Sequence, residues 1–150
     1  MKKALASGMA VAMLAMGSLA HASEDADNAI EYRQNVFNVI KWHFGPMGGM
    51  VKGKVDFDAA DFARRAELVA ALAKMPAEGF GEGTDMGDTR AKAEIWQNKA
   101  KFDEGMSLMA ERAAALAEVA KAGDMNTIKP AFGELAKTCK GCHDNFREEQ

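Results

Sequence analysis

The chain has 150 residues, of which 19 are Lys or Arg and 22 are Asp or Glu, for a formal net charge of −3. This length is typical of one domain. The chain lacks the excess of basic residues that nucleic-acid binding requires, so a nucleic-acid partner is not expected.

The first 22 residues have the layout of a cleaved secretory signal peptide. Two lysines follow the initiating methionine, an apolar stretch covers residues 4–19, and a small-x-small site occupies residues 20–22. The apolar stretch is short for a membrane span, and no later segment approaches one. Cleavage would leave one domain over residues 23–150, with a formal charge of −5 and a periplasmic location.

The first helix is predicted over about residues 27–44. Its apolar stripe recurs at gaps of three and four and consists of Ile30, Arg33, Phe37, Ile40 and Phe44. An arginine on such a stripe either binds an anionic partner or lies at the surface with its stem over the core. Val36 and Val39 lie off the stripe.

Two further helices are predicted in the middle of the chain. The second covers about 59–74, begins behind Asp58 as a cap and stops before Pro76. Its apolar row is Leu68, Leu72 and Met75, with Phe62 and Val69 beside it. A long glycine-rich loop follows, which we interpret as ordered by contacts or as a mobile crossover.

The third helix is predicted over about 92–122, ending at Gly123-Asp124. Its predicted stripe is Ile95, Phe102, Met106, Met109, Ala113, Leu116 and Ala120.

The fourth helix has the clearest stripe, namely Met125, Ile128, Phe132, Leu135, Cys139, Cys142 and Phe146. Pro130 fits this helix if the regular turns begin near residue 126 or 127, or if the helix is locally kinked. Four amphipathic helices with no strand pattern predict an all-α fold, an antiparallel four-helix bundle.

The only two cysteines occur in the sequence Cys139-Lys140-Gly141-Cys142-His143. This is the attachment pattern of c-type haem, in which two thiols form thioethers with the haem vinyl groups and the imidazole is an axial iron ligand. The predicted export agrees with it. We therefore predict one covalently bound haem c in the bundle core, with Cys139 and Cys142 as thioether donors and His143 as the iron ligand.

Three other interpretations of the cysteine pair remain open. A thioredoxin-like redox pair normally opens a helix of an α/β unit, but no strand pattern precedes it here. A zinc site needs more ligands than His43 and scattered carboxylates offer. A structural disulfide with an incidental histidine is the third.

The whole predicted mature chain resembles cytochrome c′, the bundle-type class of exported c-type cytochromes. The resemblance rests on Tyr32-Arg33-Gln34, His43-Phe44-Gly45, Met50-Val51-Lys52-Gly53, Gly79-Phe80-Gly81, Gly87-Asp88-Thr89-Arg90, Glu94-Ile95-Trp96 and residues 139–147. Many relatives carry a tryptophan where this chain has Ala77.

The resemblance implies five-coordinate iron with His143 as the proximal ligand and no protein ligand on the distal face. It implies that Arg147 is a cation beside the imidazole, that Arg33 binds a haem propionate and that Phe37 occupies the distal position. It also implies a homodimer, with which the off-stripe valines are compatible. Phe37 has no donor atom for iron, so nitric oxide and carbon monoxide are the expected ligands; alternatively, Phe37 is an ordinary core residue.

The predicted function is capture of nitric oxide, or protection against it, by a periplasmic gas-binding haem protein. Enzymatic turnover is not expected, because peroxidase chemistry needs a distal acid–base group that Phe37 does not provide. The alternative is a low-spin electron-transfer cytochrome with a methionine or His43 as sixth ligand and an unknown redox partner.

Overall fold

The computed structural model describes residues 9–149, with side chains described from residue 24 onward. The start of the predicted signal peptide, residues 1–8, lies outside this part of the chain. Within residues 9–149, no helix combines the length and apolarity that crossing a bilayer requires.

The architecture is all-α, as predicted. The helices are α1 (Met9–Val51), α2 (Ala59–Leu72), α3 (Glu94–Gln97), α4 (Lys99–Ala120) and α5 (Met125–Phe146), with a 3₁₀ turn at Pro76–Gly79. Helix α1 packs against α2 and α5, and α4 packs against α2 and α5, so the four long helices enclose one core. We call residues 73–93, which join α2 to α3, the crossover segment.

Helix α1 continues past its predicted end at Phe44. Pro46 lies inside the helix, which runs on to Val51. The physical reason is packing: Met47 is completely buried and Met50 is 8% exposed, both in the core. Burial of two large apolar side chains outweighs the lost hydrogen bond and the low helix propensity of proline.

Of the two valines that the sequence places off the apolar stripe of α1, only one lies at the surface. Val36 is 7% exposed and belongs to the core, whereas Val39 is 44% exposed. Trp42 is 74% exposed beside it in sequence. Over residues 24–51 of α1, the large apolar side chains at the surface are therefore Val39 and Trp42.

Helix α2 begins where its cap predicts but buries a different face. The Asp58 carboxylate accepts a hydrogen bond from the backbone N–H of Asp61 at 3.0 Å, which confirms the N-cap. The buried residues are Phe62, Ala66 and Val69. The predicted row is wrong at Leu68 and Met75, which are 37% and 36% exposed, whereas its third member, Leu72, is half-buried against the core.

The predicted third helix is interrupted at Asn98, whose backbone leaves the helical region at φ −124° and ψ 45°. Every member of its predicted stripe is nevertheless buried. Gly123, with φ at +67°, follows the end of α4 in the left-handed conformation that glycine adopts readily.

Helix α5 begins one residue earlier than predicted. The Asp124 carboxylate caps it by accepting the N–H of Asn126 at 2.9 Å. Pro130 therefore lies in the second turn, on the exposed side.

Gly79 marks the point where the crossover segment touches α1. A Cβ atom there would lie 2.6 Å from the backbone oxygen of Ala29 and 2.8 Å from Cβ of Arg33. We expect Gly79→Ala to lower the free energy of unfolding by about 1–3 kcal/mol, because the backbone oxygen cannot move away alone. Urea unfolding measures this. Gly81→Ala is the matched control, since nothing lies within 4 Å of its Cβ position; an equal loss in both variants would contradict the steric account.

Candidate haem site

The last turns of α5 carry the predicted attachment residues. Cys139 and Cys142 are half-buried, pack against the hydrophobic core and have free thiols. Burial raises the pKa of both thiols. A redox-active Cys-x-x-Cys pair has a lowered thiol pKa instead, so this environment disfavours the thioredoxin-like interpretation.

His143 follows directly; the residue as a whole is exposed near the end of α5, while its ring is partly shielded from water. Partial burial of its ring lowers its pKa, and the positive charges of Arg147 and Arg90 lower it further, against an opposing effect of Asp144. These effects favour neutral imidazole, the form that binds iron.

These side chains fit a covalently bound haem. Two thiols and an imidazole lie within about one turn of a single helix, and these are the groups that c-type attachment uses. Over the described part of the chain, no group of three or more His, Cys, Asp or Glu side chains converges as a protein-built metal site requires. The donor set therefore suits haem better than zinc.

Arg147 is held at the end of α5 by the crossover segment. Residues Ala91 and Arg147 form an isolated antiparallel β-bridge. The N–H of Lys92 donates to Phe146 O at 3.0 Å, and the N–H of Glu148 donates to Arg90 O at 2.9 Å. Arg147 thus lies one turn beyond His143, as predicted; its role beside bound haem stays a prediction.

Arg90 is a second cation whose charge acts on His143, and sequence reasoning assigned it no role. The β-bridge brings the backbone of Arg90 beside the C-terminal end of α5. This pairing joins residues more than fifty positions apart, so no local pattern could have identified it.

Arg33 is 2% exposed, so the surface interpretation of this arginine is wrong. Its two terminal nitrogens donate to Gly79 O at 2.7 Å, to Thr84 Oγ1 and O at 3.0 and 2.9 Å, and to Thr89 Oγ1 at 2.9 Å. All four hydrogens on those nitrogens therefore have acceptors in the crossover segment. Burial lowers the pKa of Arg33. Binding of a propionate by Arg33 stays a prediction, with Nε–H as the remaining donor.

Phe37 lies one turn after Arg33 on α1 and is half-buried. Its ring meets that of Phe80 edge-on, with centroids 6.5 Å apart and planes at 69°. Phe80 is 6% exposed and also packs on Phe102 at 4.6 Å. Phe80 is therefore the aromatic neighbour of the predicted distal residue, although the sequence marked it only as part of a motif.

Phe37 on α1 and Cys139 on α5 occupy the same level of the bundle. Phe44 of α1 and Phe132 of α5 stack with ring centroids 4.4 Å apart. Phe37 lies seven residues before Phe44, and Cys139 lies seven after Phe132, about 10 Å along each helix. Because α1 and α5 are antiparallel, both positions reach the same level of the bundle.

The candidate sixth ligands are His43 and the methionines of the core. Burial lowers the pKa of His43, and the charges of Arg65 and Arg64 on α2 lower it further, against an opposing effect of Asp61. The Nδ1 atom of His43 is buried without a hydrogen-bond partner among the described residues. Four methionines are buried in the hydrophobic core, namely Met47, Met50, Met106 and Met109.

Comparison with known proteins gives consistent matches. A family model described as Cytochrome C′ matches residues 28–147. The chain is 40% identical over 131 residues to cytochrome c′ of Halomonas halodenitrificans, covering 83% of this chain and 99% of the relative. It is 43% identical over 123 residues to cytochrome c′ of Rubrivivax gelatinosus, covering 81% and 95%.

Solved structures agree with the sequence matches. Cytochrome c prime from Shewanella frigidimarina has a TM-score of 0.81 and 54% identity, covering 83% of this chain and 97% of that chain. A nitric oxide complex of a mutant cytochrome c prime from Alcaligenes xylosoxidans has a TM-score of 0.78 and 34% identity, with the same coverage. A carbon monoxide-bound variant from that organism has a TM-score of 0.77 and 34% identity, again covering 83% of this chain and 97% of that chain.

Proposed function

Because the chain belongs to the cytochrome c′ family, whose members carry one covalently attached haem c, we propose that it is a periplasmic haem protein that binds small diatomic gases. Its proposed role is to capture nitric oxide or to protect against it. The observation that carries this proposal is the pairing of the attachment residues on α5 with an apolar residue, Phe37, at the same level of α1.

The residues have complementary tasks in this function. Cys139 and Cys142 would hold the haem by thioether bonds, and the imidazole of His143 would bind the iron. Phe37 has no donor atom for iron, so it would leave a coordination position to a small neutral molecule. The haem supplies the iron chemistry of gas binding. The nitric oxide and carbon monoxide complexes of relatives support these gases as ligands.

No catalytic turnover is proposed for this site. Phe37 and its neighbour Phe80 offer no acid–base group that could move a proton at a bound ligand.

Absorption spectroscopy of the holo-protein, with and without carbon monoxide, tests the proposal. We expect high-spin spectra in the ferric and ferrous states and ready binding of carbon monoxide to the ferrous protein. Sharp low-spin bands that carbon monoxide leaves unchanged would contradict it. That result would favour the electron-transfer alternative, with a methionine or His43 as sixth ligand and an unidentified redox partner.

Export and dimerisation are further parts of the proposal. The leader over residues 1–22 supports export, and the exposed side chains of Val39 and Trp42 on α1 support a homodimer, because paired apolar surface is removed from water. Native mass spectrometry of protein from the periplasmic fraction tests both. We expect two copies of residues 23–150 with one haem each; absence of the protein from that fraction would contradict export, and a monomer would contradict the dimer.

A further inference from the structure

We propose that Arg33 is a positioning residue that holds the crossover segment on α1, thereby fixes Phe80 against Phe37, and so controls how fast a gas reaches the distal side. This inference rests on the proposed gas-binding function. The proposed role depends on the uncharged hydrogen-bond partners of Arg33 in the crossover segment. It does not depend on binding of a haem propionate.

The hydrogen bonds of Arg33 join three points of the crossover segment to α1. Gly79, which directly precedes Phe80, accepts at 2.7 Å, and Thr84 accepts through both its hydroxyl and its carbonyl oxygen. Thr89 accepts at 2.9 Å. A planar guanidinium can satisfy these acceptors together, whereas a lysine ammonium has one nitrogen and three hydrogens.

The same side chain also contacts Phe80 directly. The guanidinium carbon lies 4.3 Å from the centre of the Phe80 ring and 5.6 Å from that of Trp96. Both distances are within the range of cation–π attraction. Phe80 is thus held by Arg33 at one contact and meets Phe37 at another, so Phe80 links Arg33 to the distal residue.

Burial makes this arrangement sensitive to the loss of any bond. Arg33 has no carboxylate partner among the ion pairs of residues 24–149, so its buried charge is compensated by neutral oxygens and aromatic faces. Such a group is stable in the interior only when its donors are satisfied. Replacing the Arg33 guanidinium would leave buried acceptors unpaired and release the crossover segment that carries Phe80.

Phe80 has space to move when that hold is lost. It borders an open cavity of about 570 Å³, whose lining includes Ala77, Gly81 and Trp96. Phe37 does not line this cavity, so a Phe80 ring that turned into it would give up the edge contact with Phe37 and widen access to the distal side.

The test measures carbon monoxide association with the ferrous holo-protein by flash photolysis. We expect Arg33→Lys to raise the association rate roughly tenfold, corresponding to a barrier lower by about 1.4 kcal/mol. We expect no further increase when Arg33→Lys is added to Phe80→Ala, because both act through one ring. Gln34→Ala is the matched control: Gln34 also ties α1 to the crossover segment, by donating to Asp88 O at 2.7 Å, and its loss should leave the rate unchanged.

An unchanged rate in Arg33→Lys, with only a lower melting temperature, would overturn the inference, as would equal rate changes in Arg33→Lys and Gln34→Ala. If Arg33→Lys does not fold, Thr89→Val removes one acceptor and should raise the rate by a smaller factor; an unchanged rate in that variant overturns the inference equally. A wild-type protein that binds no carbon monoxide refutes the proposed function itself, whereas gas binding that is insensitive to these variants refutes only the role of Arg33.

Discussion

Replacing both Cys139 and Cys142 with serine is expected to abolish covalent haem attachment. A serine hydroxyl does not form the thioether that joins a thiol to a haem vinyl group, so no covalent bond remains between cofactor and chain. Haem staining after denaturing electrophoresis measures the effect, and intact-mass spectrometry confirms the missing haem. Each single variant should retain at most one thioether.

Lys140→Ala is the control for this experiment, because it changes the same motif without touching a thiol. Lys140 is exposed and binds Asp144 at 2.5 Å on the outer side of α5. An exposed pair of this kind contributes about 0–1 kcal/mol to stability, so the variant should fold and carry its full complement of haem. Covalent haem in the double serine variant, or its loss in Lys140→Ala, would contradict the assignment.

Local sequence signals predicted the parts of the fold that depend on neighbouring residues. The cap at Asp58, the glycine after α4 and the whole apolar stripe over Ile95–Ala120 follow from short-range chemistry and periodicity. The α2 stripe was misjudged because Ala66, a small residue that is completely buried, marks the packed face better than Leu68. Close packing of helices selected the small side chain there, which a count of large apolar residues does not reveal.

In the candidate site, too, the features set by neighbouring residues were predictable from the sequence, and those set by distant residues were not. Cys139, Cys142 and His143 are adjacent in sequence, so their common placement on α5 was predictable. The environment of Arg33 was not, because its acceptors at Gly79, Thr84 and Thr89 lie far along the chain. The crossover segment has little regular structure, and only contacts made in the folded protein determine which of its oxygens meet the arginine.

Phe37→Ala is expected to raise the rates of carbon monoxide and nitric oxide association by roughly tenfold or more. Each tenfold step corresponds to about 1.4 kcal/mol of barrier. The reason is steric: Phe37 is the large side chain at the level of the attachment residues, and its removal also withdraws the edge contact with Phe80 at 6.5 Å. Flash photolysis for carbon monoxide and stopped-flow mixing for nitric oxide measure the rates.

Phe44→Ala separates control of gas access from ordinary packing. Phe44 is the same residue type on the same stripe of α1, but it stacks on Phe132 at 4.4 Å, two turns away from Phe37. Loss of a buried phenyl ring costs about 3–5 kcal/mol, and a half-buried ring costs less, so both variants should be less stable in urea. Only Phe37→Ala should change the gas rates. If both variants lose stability and neither changes the rates, Phe37 is an ordinary core residue and another group limits gas entry. If Phe37→Ala alone accelerates binding, gas reaches the haem from the side of α1.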